Sequence, residues 1–220
     1  MPDADIFSAI AHHGVVPVIT IDSLDASLPL ADALLAGGLP LAEITFRTAA
    51  AADVIRRLTT QRPQLLVGAG TVLTAENLDA AVQCGAKFGV APGLNPHIVR
   101  RAREAGLPFV PGVATPSEIE QALALGCRVL KFFPAEALGG VAMLQALAAP
   151  YTHTGVRFMP TGGVGPANLQ SYLNLPHVAA VGGTWIAKPE DLAAGRWPAI
   201  GERCAAAVAV ARQRGGRHVG

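Results

Sequence analysis

The chain has 220 residues, of which 51% are hydrophobic and only 15% charged, and its formal net charge is +1. The near-neutral charge argues against a dedicated nucleic-acid-binding protein, and a mean hydropathy of +0.39 excludes a disordered chain despite 24 glycines and 17 prolines. This length suits one domain, and single barrels of this size are common.

A repeated unit runs along the chain: a helical stretch ends in glycine, and an apolar run and a loop rich in Pro, Gly or Thr follow. We predict a leading helix over 3–12, then helices over 23–36, 50–60, 75–84, 96–105, 116–125, 140–148, 167–174 and 202–214. Eight strands are predicted between them, at Val15–Thr20, Leu39–Thr45, Leu65–Gly70, Phe88–Ala91, Pro108–Val113, Arg128–Phe133, Arg157–Thr161 and Ala179–Gly183.

The alternation of strands and helices predicts an α/β fold with a parallel sheet. The apolar runs are short and do not strictly alternate, as is typical of parallel strands covered on both faces. We therefore expect one domain over 1–220, an eight-stranded parallel (β/α) TIM barrel with an extra N-terminal helix and a frayed tail at 212–220. A doubly wound open sheet is the alternative.

Several residues mark the expected helix ends. Ser23, Thr74, Asn95, Thr115 and Asn168 are predicted N-caps, and Thr115 with Glu118 forms a capping-box pattern. Glycines after four helices, at Gly37-Gly38, Gly85, Gly106 and Gly126, are expected to adopt the left-handed cap conformation.

Lys131 is the first candidate for chemistry, because it interrupts the apolar strand Arg128–Phe133. Alternation along a strand places Val129, Lys131 and Phe133 on one face. An apolar environment favours the neutral amine, which can attack a carbonyl and form an iminium ion, the electron sink for carbon–carbon cleavage. A buried structural lysine in a salt bridge is the alternative.

Glu43 and Arg47 lie where the second strand ends. If that strand continues far enough, Leu41, Glu43, Thr45 and Arg47 share one face. A carboxylate beside a Schiff-base lysine can shuttle protons, and an arginine can hold a substrate carboxylate. Glu43 as a mere ion-pair partner, and Arg47 in a surface ion pair, remain the alternatives.

Three further strand ends carry candidate binding groups. Thr71, after Gly68-Ala69-Gly70, can offer a hydroxyl to a carboxylate. The segments Thr161-Gly162-Gly163 and Gly182-Gly183-Thr184 end strands seven and eight, where barrels often bind phosphate. Their spacing is not that of a nucleotide P-loop.

The histidines and cysteines indicate no cofactor. No histidines have the spacing of a metal-ligand pair, which disfavours a metal-dependent mechanism, although ligands from separate strands stay open. Three widely separated cysteines, an acidic N-terminus and the lack of a long apolar run favour a reducing, cytoplasmic compartment.

Seven motifs together resemble the bacterial 2-keto-3-deoxy-6-phosphogluconate aldolases, class I enzymes also known as 4-hydroxy-2-oxoglutarate aldolases. They occur in order over residues 6–200: Gly14–Ile19, Glu43–Thr48, Val67–Leu73, Pro92–Leu94, Lys131–Glu136, Pro160–Val164 and Gly182–Trp185. Each motif alone is weak, whereas the set is highly specific.

The resemblance implies a homotrimeric, metal-independent barrel of the Entner–Doudoroff pathway, without a cofactor, that forms pyruvate and glyceraldehyde 3-phosphate. It implies Lys131 as the Schiff-base lysine, Glu43 as the general acid/base, and Arg47 and Thr71 as carboxylate ligands. The motifs also implicate Pro92 and Phe133 at the substrate, and Thr161, Gly162, Gly163, Gly182, Gly183 and Thr184 near its phosphate. Thr184 stands where many members have serine, which keeps the hydroxyl.

Three other functions stay open at this point. A sister aldolase acting on the galactonate-derived substrate shares Lys131 and Glu43. A phosphate-binding isomerase or epimerase uses Glu43 as a base without a covalent step. A catalytically silent barrel only binds a metabolite or a partner.

Overall fold

A computed structural model describes residues 3–214, with ten α-helices and nine short strands in that part of the chain. The helices are α1 Asp3–His13, α2 Ser27–Ala36, α3 Ala51–Gln61, α4 Ala75–Gln83, α5 Pro96–Glu104, α6 Pro116–Ala124, α7 Gly140–Ala148, α8 Leu169–Leu173, α9 Pro189–Ala193 and α10 Trp197–Arg212. The strands are β1 Val15–Ile19, β2 Leu41–Thr45, β3 Leu66–Gly70, β4 Gly89–Val90, β5 Phe109–Val110, β6 Gly112–Val113, β7 Val129–Phe132, β8 Arg157–Pro160 and β9 Val181–Gly183. A 3₁₀ helix at Ala149–Thr154 follows α7.

All strand pairs are parallel, which confirms the α/β class. Six strands form one sheet in the order β5-β4-β3-β2-β1-β9, and β6-β7-β8 form a second sheet. Isolated bridges from Phe158 to Val178 and from Thr161 to Gly182 connect the end of the second sheet to the segment of β9. The described strands therefore form two parallel sheets, not the single continuous eight-stranded ladder that we expected.

The break between the sheets lies at Pro111, within the predicted strand Pro108–Val113. Proline has no N–H to donate to a ladder. β5, before Pro111, pairs with β4, and β6, after it, pairs with β7. The carbonyl of Pro111 still accepts a hydrogen bond from the Lys131 backbone N–H at 2.8 Å, so the chain stays close to β7 through the break.

Two hydrophobic clusters lie on opposite faces of the strands. The inner cluster consists of Ile6, Ile10, Val16, Leu41, Phe88, Val90, Val110, Val129, Met159, Ala179 and Ala180. The outer cluster packs the helices against the strands and includes Leu130, Phe132 and Ile44. Val129 and Leu41 face inward, so strand alternation places Lys131 and Glu43 on the inner face too.

Helix α1 covers the inner cluster where the strands begin. Its Ile6 and Ile10 are almost fully buried in that cluster. Lys131 lies two residues after Val129 along β7, so it is on the side of the inner cluster away from α1. The extra N-terminal helix predicted from the sequence is thereby confirmed.

Most predicted helix ends are confirmed. Gly38, Gly85, Gly106 and Gly126 have φ between +66° and +88°. The side chains of Thr74, Asn95 and Thr115 each accept the capping hydrogen bond, and Thr115 and Glu118 form the capping box.

Two N-cap predictions are wrong. Helix α2 begins at Ser27, and Ser23 accepts only a long 3.4 Å bond from the Ala26 N–H in the preceding turn. Asn168 precedes α8 but makes no capping bond, because its Oδ1 accepts from the Gly165 N–H at 2.8 Å.

The C-terminal part of the chain also differs from prediction. Helix α9 was not predicted, and α10 begins at Trp197, five residues earlier than expected. Of the tail expected to fray, residue 212 closes α10, and residues 215–220 lie outside the described part. Within residues 3–214, no helix combines the length and apolar character that crossing a membrane requires.

Candidate active site

Lys131 and Glu43 form an ion pair on the inner face, across from each other. Lys131 is on β7 in one sheet and Glu43 on β2 in the other, and Lys131 Nζ lies 3.7 Å from Glu43 Oε1. The exposed fractions of their side chains are 6% and 0%. The lysine and carboxylate singled out from sequence are therefore brought together out of bulk water.

The carboxylate of Glu43 has no hydrogen-bond partner for either oxygen among the described residues. Burial raises the pKa of Glu43 above its ordinary value of 4.5, and the positive charge of Lys131 partly opposes this effect. A raised pKa makes the carboxylate a stronger base than a free glutamate, and the carboxyl group can both accept and return a proton. Its free oxygens can accept a proton from a bound molecule.

Gly70 on β3 makes room for this carboxylate. A Cβ atom on Gly70 would lie 2.3 Å from Glu43 Oε1. On the same face, a Cβ on Gly68 would lie 2.3 Å from the ring of Phe88. Sequence reasoning missed this role, although two glycines spaced by two in a buried strand are a signal that other groups approach the backbone closely.

Phe133 lies close to Lys131, and the main chain at Pro92 packs against the neighbouring strand. Lys131 Nζ is 5.3 Å from the centroid of the Phe133 ring, within the range of a cation–π contact. Gly112 pairs with Lys131 in the ladder, and a Cβ on Gly112 would lie 2.0 Å from the carbonyl oxygen of Pro92. The main chain at Pro92 thus packs directly beside the strand partner of the lysine.

Arg47 departs from the expected strand geometry. Strand β2 ends at Thr45, so Arg47 lies in the following turn and not on the strand face shared by Glu43 and Thr45. Its side chain is exposed and makes no ion pair or hydrogen bond with another residue of the described chain. The guanidinium is therefore free to take a ligand at the rim.

Thr71 follows β3 next to this turn, because the N–H of Phe46 donates to the carbonyl of Gly70 at 2.8 Å. Its φ of +56° is the only positive value at a non-glycine residue between 3 and 214. A β-branched residue in that region is strained, and strain of this kind persists where the surroundings enforce it. Thr71 is half-buried, and its neighbours hold it after the end of β3 in a backbone conformation that its β-branched side chain disfavours.

The two glycine pairs are neighbours, as a shared anion site requires. Thr161 and Gly182 form a bridge, and a Cβ on Gly182 would lie 2.2 Å from Thr161 Oγ1. Gly162 and Gly163 have φ of +97° and +80°. Their N–H groups donate to no protein acceptor in the described structure, so they are available to an anion.

The second pair has its own support. A Cβ on Gly183 would lie 2.4 Å from the ring of Trp185, so the strand end rests on that indole. Thr184 is exposed at the rim. Beyond it, the buried carboxylate of Asp191 binds Arg203 at 2.5 Å and Arg196 at 2.8 Å, which ties the segment after β9 to α10.

No three His, Cys, Asp or Glu side chains between residues 3 and 214 lie close enough together to hold a metal ion.

Residues 6–203 match the family model "Aldolase: KDPG and KHG aldolase". The chain is 49% identical to a 2-dehydro-3-deoxy-phosphogluconate aldolase of Haemophilus influenzae, over 85% of this chain and 87% of the relative. It is 44% identical to a KHG/KDPG aldolase of Escherichia coli K12, over 84% and 86%.

Solved structures give the same result. A KDPG aldolase from Legionella pneumophila, holding pyruvate as a covalent carbinolamine intermediate, aligns with a TM-score of 0.88 and 39% identity over 94% of this chain and 98% of that one. A 2-keto-3-deoxy-6-phosphogluconate aldolase of Zymomonas mobilis ZM4 with 3-phosphoglycerate aligns at 0.84 and 38% identity, over 94% and 96%.

Proposed function

The chain belongs to the KDPG and KHG aldolase family, and we propose that it is a class I aldolase that cleaves 2-keto-3-deoxy-6-phosphogluconate to pyruvate and glyceraldehyde 3-phosphate. It also cleaves 4-hydroxy-2-oxoglutarate to pyruvate and glyoxylate. The observation that carries the proposal is the buried pair of Lys131 and Glu43, 3.7 Å apart on the inner face of β7 and β2. The dual name of the Escherichia coli relative supports the second substrate.

The first step joins Lys131 to the substrate. Lys131 first passes its extra proton to Glu43; the neutral Nζ then attacks the C2 ketone, and the carbinolamine loses water to give an iminium ion. Glu43 supplies the proton with which the hydroxyl leaves. The covalent pyruvate adduct of the Legionella relative supports this chemistry.

The second step breaks the C3–C4 bond. Glu43, as a carboxylate, accepts the proton of the C4 hydroxyl, the C4 oxygen becomes the aldehyde, and the bonding electrons move into the iminium to form an enamine. Glu43 then returns its proton to C3, and water hydrolyses the resulting iminium to free pyruvate and Lys131. Acid/base assistance of this kind contributes about 10²–10⁴-fold to the rate.

Binding groups surround this pair in the proposal. Arg47 and Thr71 hold the carboxylate of the keto acid at adjacent strand ends. Pro92 and Phe133 line the reacting end of the substrate. The segments Thr161-Gly162-Gly163 and Gly182-Gly183-Thr184 hold the phosphate, and the free N–H groups of the first segment support this assignment.

The finer architecture is part of the same proposal. The two sheets are the parts of one eight-stranded barrel in a single domain over 1–220, which the bridges between β8 and the β9 segment and the Lys131–Glu43 pair across the interior support. The protein is a homotrimer, which sedimentation measurements would test. It works in the cytoplasm, where its free cysteines Cys84, Cys127 and Cys204 stay reduced.

Reductive trapping tests the covalent step. Incubation with pyruvate and borohydride should add the reduced adduct to Lys131, which peptide mass spectrometry locates. Lys131→Ala should be folded but neither trapped nor active, because it has no electron sink. Lys87→Ala, which removes an exposed lysine, is the matched control and should behave as the wild type.

The outcomes separate the competing functions. An active Lys131→Ala variant, or no adduct on the wild type, would remove the aldolase mechanism in favour of a non-covalent isomerase. Trapping together with faster cleavage of the galactonate-derived epimer would instead reassign the substrate.

A further inference from the structure

The loop Thr161–Gly165 after β8 is fastened to the loop after β7. The N–H of Ala135 donates to the Thr161 carbonyl at 2.8 Å, and the N–H of Glu136 donates to the Gly162 carbonyl at 3.0 Å. Both bonds use carbonyl oxygens of the loop, and the N–H groups of Gly162 and Gly163 donate to no acceptor within the described chain. The loop after β7 thus holds the loop after β8 through its carbonyl groups. The N–H groups of Gly162 and Gly163 stay available to a ligand.

The side chain of Glu136 packs against this loop. A Cβ on Gly163 would lie 2.6 Å from Glu136 Cβ and 2.7 Å from its Cγ. The backbone of Gly163 therefore rests on the aliphatic part of Glu136. The side chain of Asn168 also holds the loop: its Oδ1 accepts a hydrogen bond from the Gly165 N–H at 2.8 Å, and its Nδ2 donates one to the Gly163 carbonyl at 3.4 Å.

The carboxylate of Glu136 is held by Tyr172 of α8. The Tyr172 hydroxyl donates to Glu136 Oε1, and Tyr172 itself is fully buried in the outer cluster. Burial and the Glu136 carboxylate raise the pKa of Tyr172, so the hydroxyl keeps its proton. This bond draws the negative charge toward the outer cluster, whereas a free carboxylate beside Gly163 would repel an anion.

We propose that Glu136 and Tyr172 are positioning residues that set the preference for phosphorylated over unphosphorylated keto acids. The aliphatic part of Glu136 holds Gly163 in its anion-binding conformation, and Tyr172 keeps the attached charge away. The inference rests on the proposed function, because it assigns the phosphate of the substrate to this loop.

Kinetics with two substrates test the inference. In Tyr172→Phe, the KM for 2-keto-3-deoxy-6-phosphogluconate should rise about tenfold, the lower end of what a hydrogen bond to a charged group contributes. KM and kcat for unphosphorylated 4-hydroxy-2-oxoglutarate should stay unchanged. Glu136→Ala, at an exposed position, should show the same split. Glu136→Gln keeps the hydrogen-bond acceptor and the aliphatic part of the side chain, so its KM for both substrates should equal that of the wild type.

The matched control is Tyr151→Phe, which removes a tyrosine hydroxyl that donates to Glu120 at the surface and should change neither substrate. Equal changes for both substrates in Tyr172→Phe and Glu136→Ala, or no change in either, would overturn the inference.

Calorimetric titration with inorganic phosphate separates this inference from the proposed function. Weaker phosphate binding in Tyr172→Phe and Glu136→Ala supports the inference even if pyruvate trapping fails. Unchanged phosphate binding in a protein that traps pyruvate refutes only the inference.

Discussion

Replacing Gly70 by alanine would disturb the site without removing any functional group. The new Cβ would lie 2.3 Å from Glu43 Oε1 and 2.7 Å from Glu43 Cγ, whereas ordinary contacts begin at 3.4 Å. The carboxylate must therefore retreat by about 1 Å, and a misplacement of that size can lower a rate by about 10²-fold. We expect kcat/KM for cleavage to fall by that factor.

The same substitution costs some stability. Overpacking a closely packed interior destabilises by about 1–3 kcal/mol. For a chain of this size, each 1 kcal/mol lowers the melting temperature by about 2–4 °C. The variant should still be folded at 25 °C, where pyruvate release in a coupled assay gives kcat/KM and thermal melting gives the stability.

Gly68→Ala is the control, because it adds the same methyl group on the same face of β3. Its Cβ would lie 2.3 Å from the Phe88 ring, so the clash falls on the inner cluster and not on Glu43. It should lose stability but keep its kcat/KM. If Gly70→Ala also keeps its kcat/KM while its melting temperature falls in the same way, the position of Glu43 does not control the rate.

Three further predictions concern single groups. Burial raises the pKa of Glu43 above 4.5, and in the proposed mechanism the carboxylate is the form that accepts the C4 proton. The value of kcat/KM should therefore fall as the pH drops through that raised pKa. A pH–rate profile whose acid limb lies at 4.5 would contradict this. Asp191→Asn should lower the free energy of unfolding, measured by urea titration, by about 1.5–3 kcal/mol, because it weakens two charged hydrogen bonds of a buried carboxylate. The control Asp32→Asn, in an exposed pair with Arg62, should cost less than about 1 kcal/mol. Thr115→Ala should cost about 1 kcal/mol in the same titration through loss of the capping box, and an unchanged midpoint would show that the cap does not contribute.

Local signals predicted the repeated units because each acts within a few residues. A glycine such as Gly85 or Gly126 ends a helix through its own backbone freedom, and Thr115 caps a helix through a group three residues away. Strand alternation likewise placed Lys131 on the face of Val129 before any contact was known. The candidate pair of Lys131 and Glu43 followed from residue chemistry and from the family resemblance.

Tertiary contacts decided the features that sequence reasoning missed. The last helix was predicted to begin at residue 202, yet proline is tolerated in the first turn, and α10 begins at Trp197 with Pro198 in that turn. The break at Pro111 depends on which neighbour each half of the strand pairs with. The link between Glu136 and Tyr172 spans 36 residues and has no local pattern.

Helix α1 packs Ile6 and Ile10 into the inner cluster, on the side away from Lys131. In the proposed mechanism, the substrate and the water that hydrolyses the final adduct therefore approach Lys131 from the strand ends. In that mechanism the aldehyde leaves toward this side first, water enters from it, and pyruvate leaves last.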